Sequence, residues 1–337
     1  DVPISIPLEP DFKLILPLLL FDNIFIDSEL KIEILLSVFN GENYLIELFE
    51  SLLSQTYRNF RILIRDDFST DNSINIIKKY TKNYPDTFRL FHDSLGKSGT
   101  VNSFMHLLEN TETDYLMFCD QDDIWKNNKV QSTFDKMRIT EEIYPSLPIL
   151  IHTDLEIVNS ELESINSSLW KYQKINPNRT KLHQIIVQNI GTGCTMMINK
   201  PLIKIVHPVP DGIIMHDWWF MLVASTFGKI DYISESTVCY RQHELNQIGA
   251  KEYGRNKIIQ RLKGLSVRTV ENNYIKKQIL AFKQRYKDDM PLDKKEIVDK
   301  FLEINNYGFI KKRFAYFVNG FKKNGILRNL ADIIFPI

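Results

Sequence analysis

Short apolar runs alternate with segments of helical periodicity from residue 32 onward. The runs are four to seven residues long and are followed by polar or turn residues, which predicts buried strands. Between them, apolar residues recur every three or four positions, which predicts amphipathic helices. Such an alternation is typical of an α/β fold with a mainly parallel, doubly wound sheet. The predicted strands are 32–38, 60–65, 88–91 and 115–119, and the predicted helices are 42–54, 73–82, 98–109 and 127–138.

The pattern is less regular in the second half and becomes helical and basic after residue 250. We therefore expect a segment of uncertain role at 1–30, an α/β catalytic domain at 31–250 and a basic helical extension at 251–337. Further predicted strands are 150–154, 194–198 and 237–240; further predicted helices are 201–206, 217–227, 255–262, 273–286, 294–304 and 309–321.

Charge is distributed unevenly although the formal net charge is zero. Residues 251–337 contain 20 Lys and Arg against 9 Asp and Glu, whereas residues 1–250 contain 22 against 33. The acidic part suits a cation site, and the basic, aromatic tail suits an anionic surface. Two interpretations of the tail stay open: peripheral contact with a membrane, or a helical cap on the catalytic domain or on a second subunit of a homodimer. Because the net charge is zero, we expect no nucleic-acid partner.

The cysteines and the N-terminal residues favour a cytoplasmic protein. Cys119, Cys194 and Cys239 are odd in number and fit neither a zinc spacing nor a disulfide framework. The apolar run at 14–21 contains Pro17 and is far shorter than the roughly 20 residues of a transmembrane helix. Acidic rather than basic residues precede it, so a secretory signal is not expected. If the tail binds lipid, the protein would lie on the inner face of the cytoplasmic membrane.

An acidic cluster follows the predicted strand 115–119. Asp120, Asp122 and Asp123 place three carboxylates within four residues, and these repel one another unless a cation lies among them. Mg²⁺ usually takes one or two protein carboxylates together with substrate phosphates, which would suit a diphosphate ligand. An isolated D-x-D is more often a solvated loop or helix start. The position directly after a buried strand favours the metal site.

Three other segments carry candidate chemistry. Asp66 and Asp67 follow another predicted strand, so the topology places them at the same edge of the sheet as Asp120, where they could accept hydrogen bonds from a base or a ribose. Asp217 begins an apolar helix and is either a general base or a helix cap. His243 is either a ligand of the metal or diphosphate, or a structural histidine.

Together these segments resemble family 2 glycosyltransferases of the GT-A fold over about residues 31–249. The resemblance rests on residues 37–45 (Ser-Val-Phe-Asn-Gly-Glu-Asn-Tyr-Leu), on Asp-Asp-Phe-Ser-Thr-Asp-Asn-Ser at 66–73 and on Asp-Gln-Asp-Asp at 120–123. The His-Asp-Trp-Trp at 216–219 and the Tyr-Arg-Gln-His at 240–243 are similar to the branch often described as rhamnosyltransferases. One departure is His216, where many relatives have Glu.

The resemblance implies a GT-A fold and inverting, metal-dependent transfer of a sugar from a nucleotide-diphosphate donor. Mn²⁺ or Mg²⁺ is the expected cofactor, dTDP-rhamnose the favoured donor and a UDP-hexose the next. The acceptor would be a hydroxyl of a cell-surface polysaccharide or of a lipid-linked oligosaccharide precursor. The expected site residues are Asp217 (catalytic base); Asn40, Asp66, Asp67, Lys97 and Asp120 (donor); Asp122, Asp123 and His243 (metal); and Thr192, Gly193, Trp218 and Trp219 (acceptor).

Two other functions are weaker interpretations of the same residues. A nucleotidyltransferase usually needs a Gly-rich, basic loop after the first strand, and residues 40–43 (Asn-Gly-Glu-Asn) are neither. A non-catalytic sugar- or nucleotide-binding module would not need a metal cluster, a general base and His243 together. In the acceptor region, Gly193 could simply serve a tight turn and the tryptophans could belong to the core.

Overall fold

A computed structural model of the chain describes residues 32–243, 249–250, 265–325 and 328–329. The N-terminal segment 1–30 and the predicted helix 255–262 lie outside the described residues.

The described residues form one mixed sheet of nine strands with helices on its faces. The strands run in the order β3-β2-β1-β4-β8-β6-β9-β5, and β7 pairs with β6. The strands are β1 (Ile32–Val38), β2 (Phe60–Asp66), β3 (Phe88–Leu90), β4 (Tyr115–Cys119), β5 (Ile124–Trp125), β6 (Ile149–Val158), β7 (Ser164–Asn166), β8 (Met197–Asn199) and β9 (Lys229–Arg241). The helices are α1 (Leu45–Leu53), α2 (Ser73–Asn83), α3 (Thr100–Glu109), α4 (Lys129–Ile143), α5 (Leu169–Gln173), α6 (Leu182–Ile185), α7 (Lys200–Val206), α8 (His216–Phe227), α9 (Leu265–Arg285), α10 (Leu292–Ile304) and α11 (Phe309–Val318).

Strands β1 to β4 are parallel, as the alternating pattern predicts. Strand β1 lies between β2 and β4, with Val38 opposite Asp66 and Leu36 opposite Cys119. The strand order therefore reverses at β1, and ligands of such sheets bind beyond the carboxyl ends of the strands at this point. The two acidic clusters that follow β2 and β4 consequently reach the same edge.

The other half of the sheet is mixed rather than parallel. Strand β8 runs antiparallel to both β4 and β6, while β6 and β9 are parallel. Residues 194–196, predicted as the start of a strand, form a tight turn instead, because the Thr195 amide and hydroxyl both donate to the Thr192 carbonyl at 2.9 and 2.7 Å. Strand β8 begins only at Met197. This turn directs residues 191–193 towards the sheet edge described above.

The described part of the C-terminal extension shares a hydrophobic core with the catalytic domain. Trp219 of α8 packs against Phe282 and Tyr286 of α9, with ring centroids 5.4 and 5.9 Å apart. The Tyr286 hydroxyl donates to the Ile205 carbonyl at 2.9 Å. Helix α9 thus caps α7 and α8, and α10 packs beside it against α6. Within the described ranges, none of the helices combines the length and apolarity needed to cross a membrane.

Candidate active site

A cleft of about 760 Å³ lies at the sheet edge where β1, β2 and β4 end. Its volume is in the range of sites for ligands of nucleotide-sugar size. Most residues singled out from the sequence line this cleft, although they come from distant parts of the chain. They are Asn40, Asp67, Lys97, Asp120, Asp122, Thr192, Gly193, Asp217, Trp218 and His243.

Asp122 and His243 form a pair on one wall of the cleft. His243 Nε2 lies 2.8 Å from Asp122 Oδ2, and the imidazole stacks on the Tyr44 ring at 4.8 Å. Arg241, which is buried, donates to the Asp122 carbonyl at 3.1 Å and so fixes the backbone of the acidic loop. Residues 121 positions apart in sequence therefore present a carboxylate and an imidazole side by side, two groups that commonly bind divalent metals.

Burial and mutual repulsion disfavour the ionised forms of the acidic cluster. Burial raises the pKa of Asp120 to about 7, with further contributions from the charges of Asp122 and Asp217. Burial and the charges of Asp122 and Asp120 raise the pKa of Asp123 well above its usual range. Carboxyl oxygens of Asp120 and Asp123 and the Cys194 sulfur lie within 4.8 Å of one another. A divalent cation would relieve this repulsion, so the residues present fit the expected Mn²⁺ or Mg²⁺.

Asp217 lies at the start of α8 and is largely buried, with 9 % of its surface exposed in the cleft. Its Oδ1 accepts a hydrogen bond from the Trp218 amide at 2.6 Å. Burial raises the pKa of Asp217 to about 6, although hydrogen bonds from the Trp218 amide, the Asn189 side chain and the Gly193 amide act in the opposite direction. A carboxylate with a pKa in this range is well suited to accept a proton near neutral pH.

Gly193 brings the backbone into close contact with His216 and Asp217. A Cβ atom at this position would lie 2.7 Å from His216 Nε2 and 3.8 Å from Asp217 Cβ. The His216 ring itself packs among Phe104 and Phe118, and burial lowers its pKa to about 3. His216 is therefore a neutral residue that packs on these rings and lines the cleft. The sequence offered tight-turn geometry as one explanation of Gly193, and the structure adds the requirement for space.

Asp67 accepts more hydrogen bonds from the surrounding protein than its expected role as a donor-binding residue suggests. Its Oδ1 accepts from Arg65 Nη1 at 2.6 Å and from the Ser98 amide at 2.7 Å, and its Oδ2 accepts from the Gly99 amide at 2.8 Å. Burial alone would raise the pKa of Asp67, but these donors outweigh it and lower the pKa. Arg65 also contacts Asp93 at 2.6 Å. Asp67 thus holds the loop that carries Lys97 into the cleft.

Two residues that the sequence analysis missed shape the wall of the cleft that carries Asn40 and Lys97. Gln121 clamps the end of β1, since its side chain accepts from the Phe39 amide at 2.7 Å and donates to the Phe39 carbonyl at 2.9 Å. Arg65 anchors the loop at 93–99 as described. Neither could be recognised locally, because Gln121 appears only as the variable position of a D-x-D motif and Arg65 as the end of a strand. Asn40, with φ of 51°, accepts from the Thr70 amide and so helps to shape the same wall.

Three predicted site residues do not line the cleft. Asp66 borders a separate hollow of about 270 Å³ beside β3, and its Oδ2 accepts from the Ser69 amide at 3.1 Å. Asp123 is fully buried behind Asp122 and beside Cys194. Trp219 is also fully buried and packs on α9, because its position one residue beyond Trp218 turns it by about 100° to a different face of α8. The expected acceptor contact of Trp219 is therefore corrected to a core role.

The part of the cleft that Trp218 lines is more apolar than the part that the acidic residues line. Leu169, Ile175, Ile190 and Ile214 line it together with Trp218, whose indole nitrogen donates to the Ile185 carbonyl at 2.7 Å. That hydrogen bond fixes the Trp218 ring at the cleft wall. Such a surface is suited to the apolar face of a sugar ring.

Comparison with known proteins identifies the family. The model of Glycosyl transferase family 2 matches residues 33–206, slightly more than half of the chain. The chain belongs to glycosyl transferase family 2. This glycosyltransferase is 26 % identical over 265 residues to the dTDP-rhamnosyl transferase RfbG of Shigella flexneri, a match that covers 75 % of this chain and 85 % of the relative.

Solved structures share the fold of this glycosyltransferase. S. aureus TarS 1–349 in complex with UDP superimposes with a TM-score of 0.52 at 16 % identity, over 81 % of this chain and 70 % of that one. The mannosyltransferase PcManGT of Pyrobaculum calidifontis, in complex with GDP-Man and Mn²⁺, gives 0.50 at 11 % identity, over 87 % and 73 %. These likenesses confirm the predicted GT-A fold. The family and its relatives also confirm that the chain is a glycosyltransferase enzyme.

Proposed function

We propose that this enzyme transfers rhamnose from dTDP-rhamnose, with inversion, to a hydroxyl of a polysaccharide or of a lipid-linked oligosaccharide precursor. The observation that supports this most directly is the composition of the cleft. Asp217, the candidate base, and the Asp122–His243 pair line the same cavity, and Asp120 lies close enough to both carboxylates for their charges to raise its pKa. One ligand could therefore contact both groups.

In the proposed reaction the acceptor hydroxyl lies beside Asp217. As its oxygen attacks the anomeric carbon, Asp217 accepts the hydroxyl proton and the bond to the nucleoside diphosphate breaks. The Trp218 amide, the Asn189 side chain and the Gly193 amide hold the carboxylate in place. The walls around Asp217 limit the access of water, which would otherwise compete with the acceptor hydroxyl.

The residues that would hold the metal are Asp122 and His243, with Asp120 beside them. A bound divalent cation would neutralise the charge that develops on the leaving diphosphate. Asp67 and Arg65 would act on the donor indirectly, since they position the loop that presents Lys97 to the cleft. The Lys97 ammonium, 3.7 Å from the centre of the Phe39 ring, is a cation within reach of the donor side.

Two observations favour rhamnose over a UDP-hexose. The relative RfbG is named as a dTDP-rhamnosyl transferase and aligns over most of both chains. Rhamnose carries a methyl group where hexoses carry a hydroxymethyl group, and the apolar side of the cleft offers Leu169, Ile190 and Ile214 for such a group. The structural neighbour TarS, in contrast, was solved with UDP-GlcNAc, so UDP-sugars are the second donor class to test.

A donor screen tests the proposal. The purified full chain would be assayed against dTDP-rhamnose, UDP-hexoses and GDP-mannose for binding by calorimetry and for slow hydrolysis, with Mn²⁺, with Mg²⁺ and with chelator. We expect dTDP-rhamnose to bind and to be hydrolysed only with metal. Preference for a UDP-sugar would replace the donor assignment, and equal activity in chelator would refute the metal requirement.

A further inference from the structure

Helix α11 carries an apolar face that the described protein leaves uncovered. Ile310 is 81 % exposed, Phe314 71 %, Val318 63 % and Phe317 58 %. At 3.6 residues per turn, these four side chains fall within an arc of about 100° on one side of the helix. Single exposed apolar residues are common at protein surfaces, but a continuous row of four large ones on a single helix marks an interaction surface.

The opposite face of α11 is the one that packs on the protein. Tyr316 is buried, lies 5.8 Å from the Phe301 ring of α10 and accepts a hydrogen bond from the Asn305 side chain at 3.0 Å. The helix is therefore held in place through Tyr316. Its apolar row is directed outward because the contacts to the core use the other side.

Cationic side chains border this apolar face. By the same helical geometry, Arg313 and Lys311 lie immediately on either side of the apolar arc. Arg313 lies over the Phe309 ring at 3.3 Å, and Lys322, just beyond the helix, lies over the Phe317 ring at 3.5 Å. Residues 304–325 contain five Lys and Arg and no Asp or Glu. A second protein surface would need acidic groups around an apolar patch, whereas an anionic bilayer supplies both over a wide area.

Helix α11 is also connected to the cleft through the segment that follows it. The segment after it packs on residues 175–188, since the Asn324 amide donates to the Gln188 side chain at 2.6 Å and the Asn324 side chain accepts from the Asn176 amide at 3.0 Å. Ile175 and Asn189, the neighbours of these contacts, line the apolar side of the cleft. A surface bound by α11 would therefore lie next to the apolar side of the cleft, which Trp218, an expected acceptor contact, also lines.

We propose that the exposed face of α11, formed by Ile310, Phe314, Phe317 and Val318, docks on an anionic lipid bilayer. The apolar side chains enter the interface between headgroups and acyl chains, and Lys311, Arg313 and Lys322 pair with lipid phosphates. Docking in this way would bring a lipid-linked acceptor to the cleft; this last step rests on the proposed function, whereas lipid binding itself does not.

Vesicle co-sedimentation of the full chain tests the docking. We expect the wild type to sediment with phosphatidylglycerol-containing vesicles, to be released as salt is raised and to remain in solution with phosphatidylcholine alone. The double variant Ile310→Ser/Phe314→Ser should bind the anionic vesicles more weakly by about tenfold or more. Ile143→Ser, which changes another exposed apolar residue (63 %) on α4, is the matched control and should bind like the wild type.

A second variant and a second readout make the outcome decisive. Lys311→Gln/Lys322→Gln leaves the apolar row intact and should weaken binding and its dependence on salt. Donor hydrolysis in solution, without vesicles, should be unchanged in both variants; it reports folding and also separates failure of docking from failure of the proposed function. Vesicle binding that is absent in the wild type, or equal in all variants, would overturn the proposal. A dimer that becomes monomeric in Ile310→Ser/Phe314→Ser, measured by light scattering without vesicle binding, would assign the face to a second copy instead.

Discussion

At the scale of single residues, the function of this glycosyltransferase depends on how burial changes ordinary side chains. Asp217 lies at the start of a helix, where an aspartate is common for reasons of capping alone. Its suitability as a base comes from the cleft, where burial raises its pKa and hydrogen-bond donors favour the ionised form. The sequence could nominate Asp217 only through the motif around it. The buried environment that makes Asp217 a candidate base arises only from the tertiary structure.

Replacement of Asp217 by asparagine tests its role as a base. Asp217→Asn keeps the shape of the side chain but cannot accept the proton, so we expect kcat to fall by about 10²–10⁴-fold. Donor affinity, measured by calorimetry with metal present, should change little. Asp211→Asn removes an exposed carboxylate from the loop before α8 and should keep full activity. Turnover of Asp217→Asn close to that of the wild type would exclude the assignment.

The pH dependence of the reaction follows from the same carboxylate. Asp217 must be ionised to accept a proton, and burial raises its pKa to about 6. The logarithm of kcat/KM should therefore rise with a slope of about one up to pH 6 and level off above it. The residual activity of Asp217→Asn should lack this inflection. A profile that is flat between pH 5 and 7 in the wild type would place the proton acceptor elsewhere.

At the scale of elements, the sequence predicted the strands and helices whose own apolar pattern is enough to define them. Strands β1 to β4 and helices α1 to α4 follow directly from buried runs and stripes. Strand β9 was recognised only at 237–240, because residues 229–236 are mostly polar and become a strand by pairing with β6. Strand β5 has two residues and exists only through its pairing with β9. Such elements depend on partners that are distant in the sequence.

The loop at 93–99 is an element whose position depends on one buried side chain. Arg65, 1 % exposed, joins Asp67, which directly follows strand β2, to Asp93 and to the Gly96 carbonyl, 28 and 31 residues away. Its planar guanidinium makes these contacts at once, and an ammonium could not.

Exchange of Arg65 for lysine should therefore affect the donor rather than the chemistry. Arg65→Lys keeps the charge but loses the forked contacts, so the loop carrying Lys97 should become less ordered. We expect KM for the donor to rise several-fold while kcat changes much less. Arg61→Lys, on the same strand, alters the pair of the 32 % exposed Arg61 with the buried Glu33 and serves as the control. Equal losses of kcat in both variants would indicate a general effect on strand β2.

At the scale of the whole molecule, the basic extension is joined to the catalytic domain rather than appended to it. The sequence predicted helices there but not which faces would pack, because aromatic residues lie all around the segment 309–321. The structure buries Ile279, Phe282 and Tyr286 against α8 and leaves the α11 row exposed. Helices α9 and α10 therefore act as a cap, as one interpretation of the tail expected. Helix α11 presents the outward surface for which we propose lipid binding.

If the cap and the catalytic domain share one core, they should unfold together. Phe282 is fully buried against Trp219, the residue that follows the cleft-lining Trp218. We expect Phe282→Ala to lower the free energy of unfolding by about 3–5 kcal/mol in a single transition followed by tryptophan fluorescence and circular dichroism. Leu280→Ala, at a position 47 % exposed on the same helix, should lower it by less than about 1 kcal/mol. Two separate transitions, with only the weaker one shifted by Phe282→Ala, would show that the extension folds independently and that the α11 surface is not held rigidly beside the cleft.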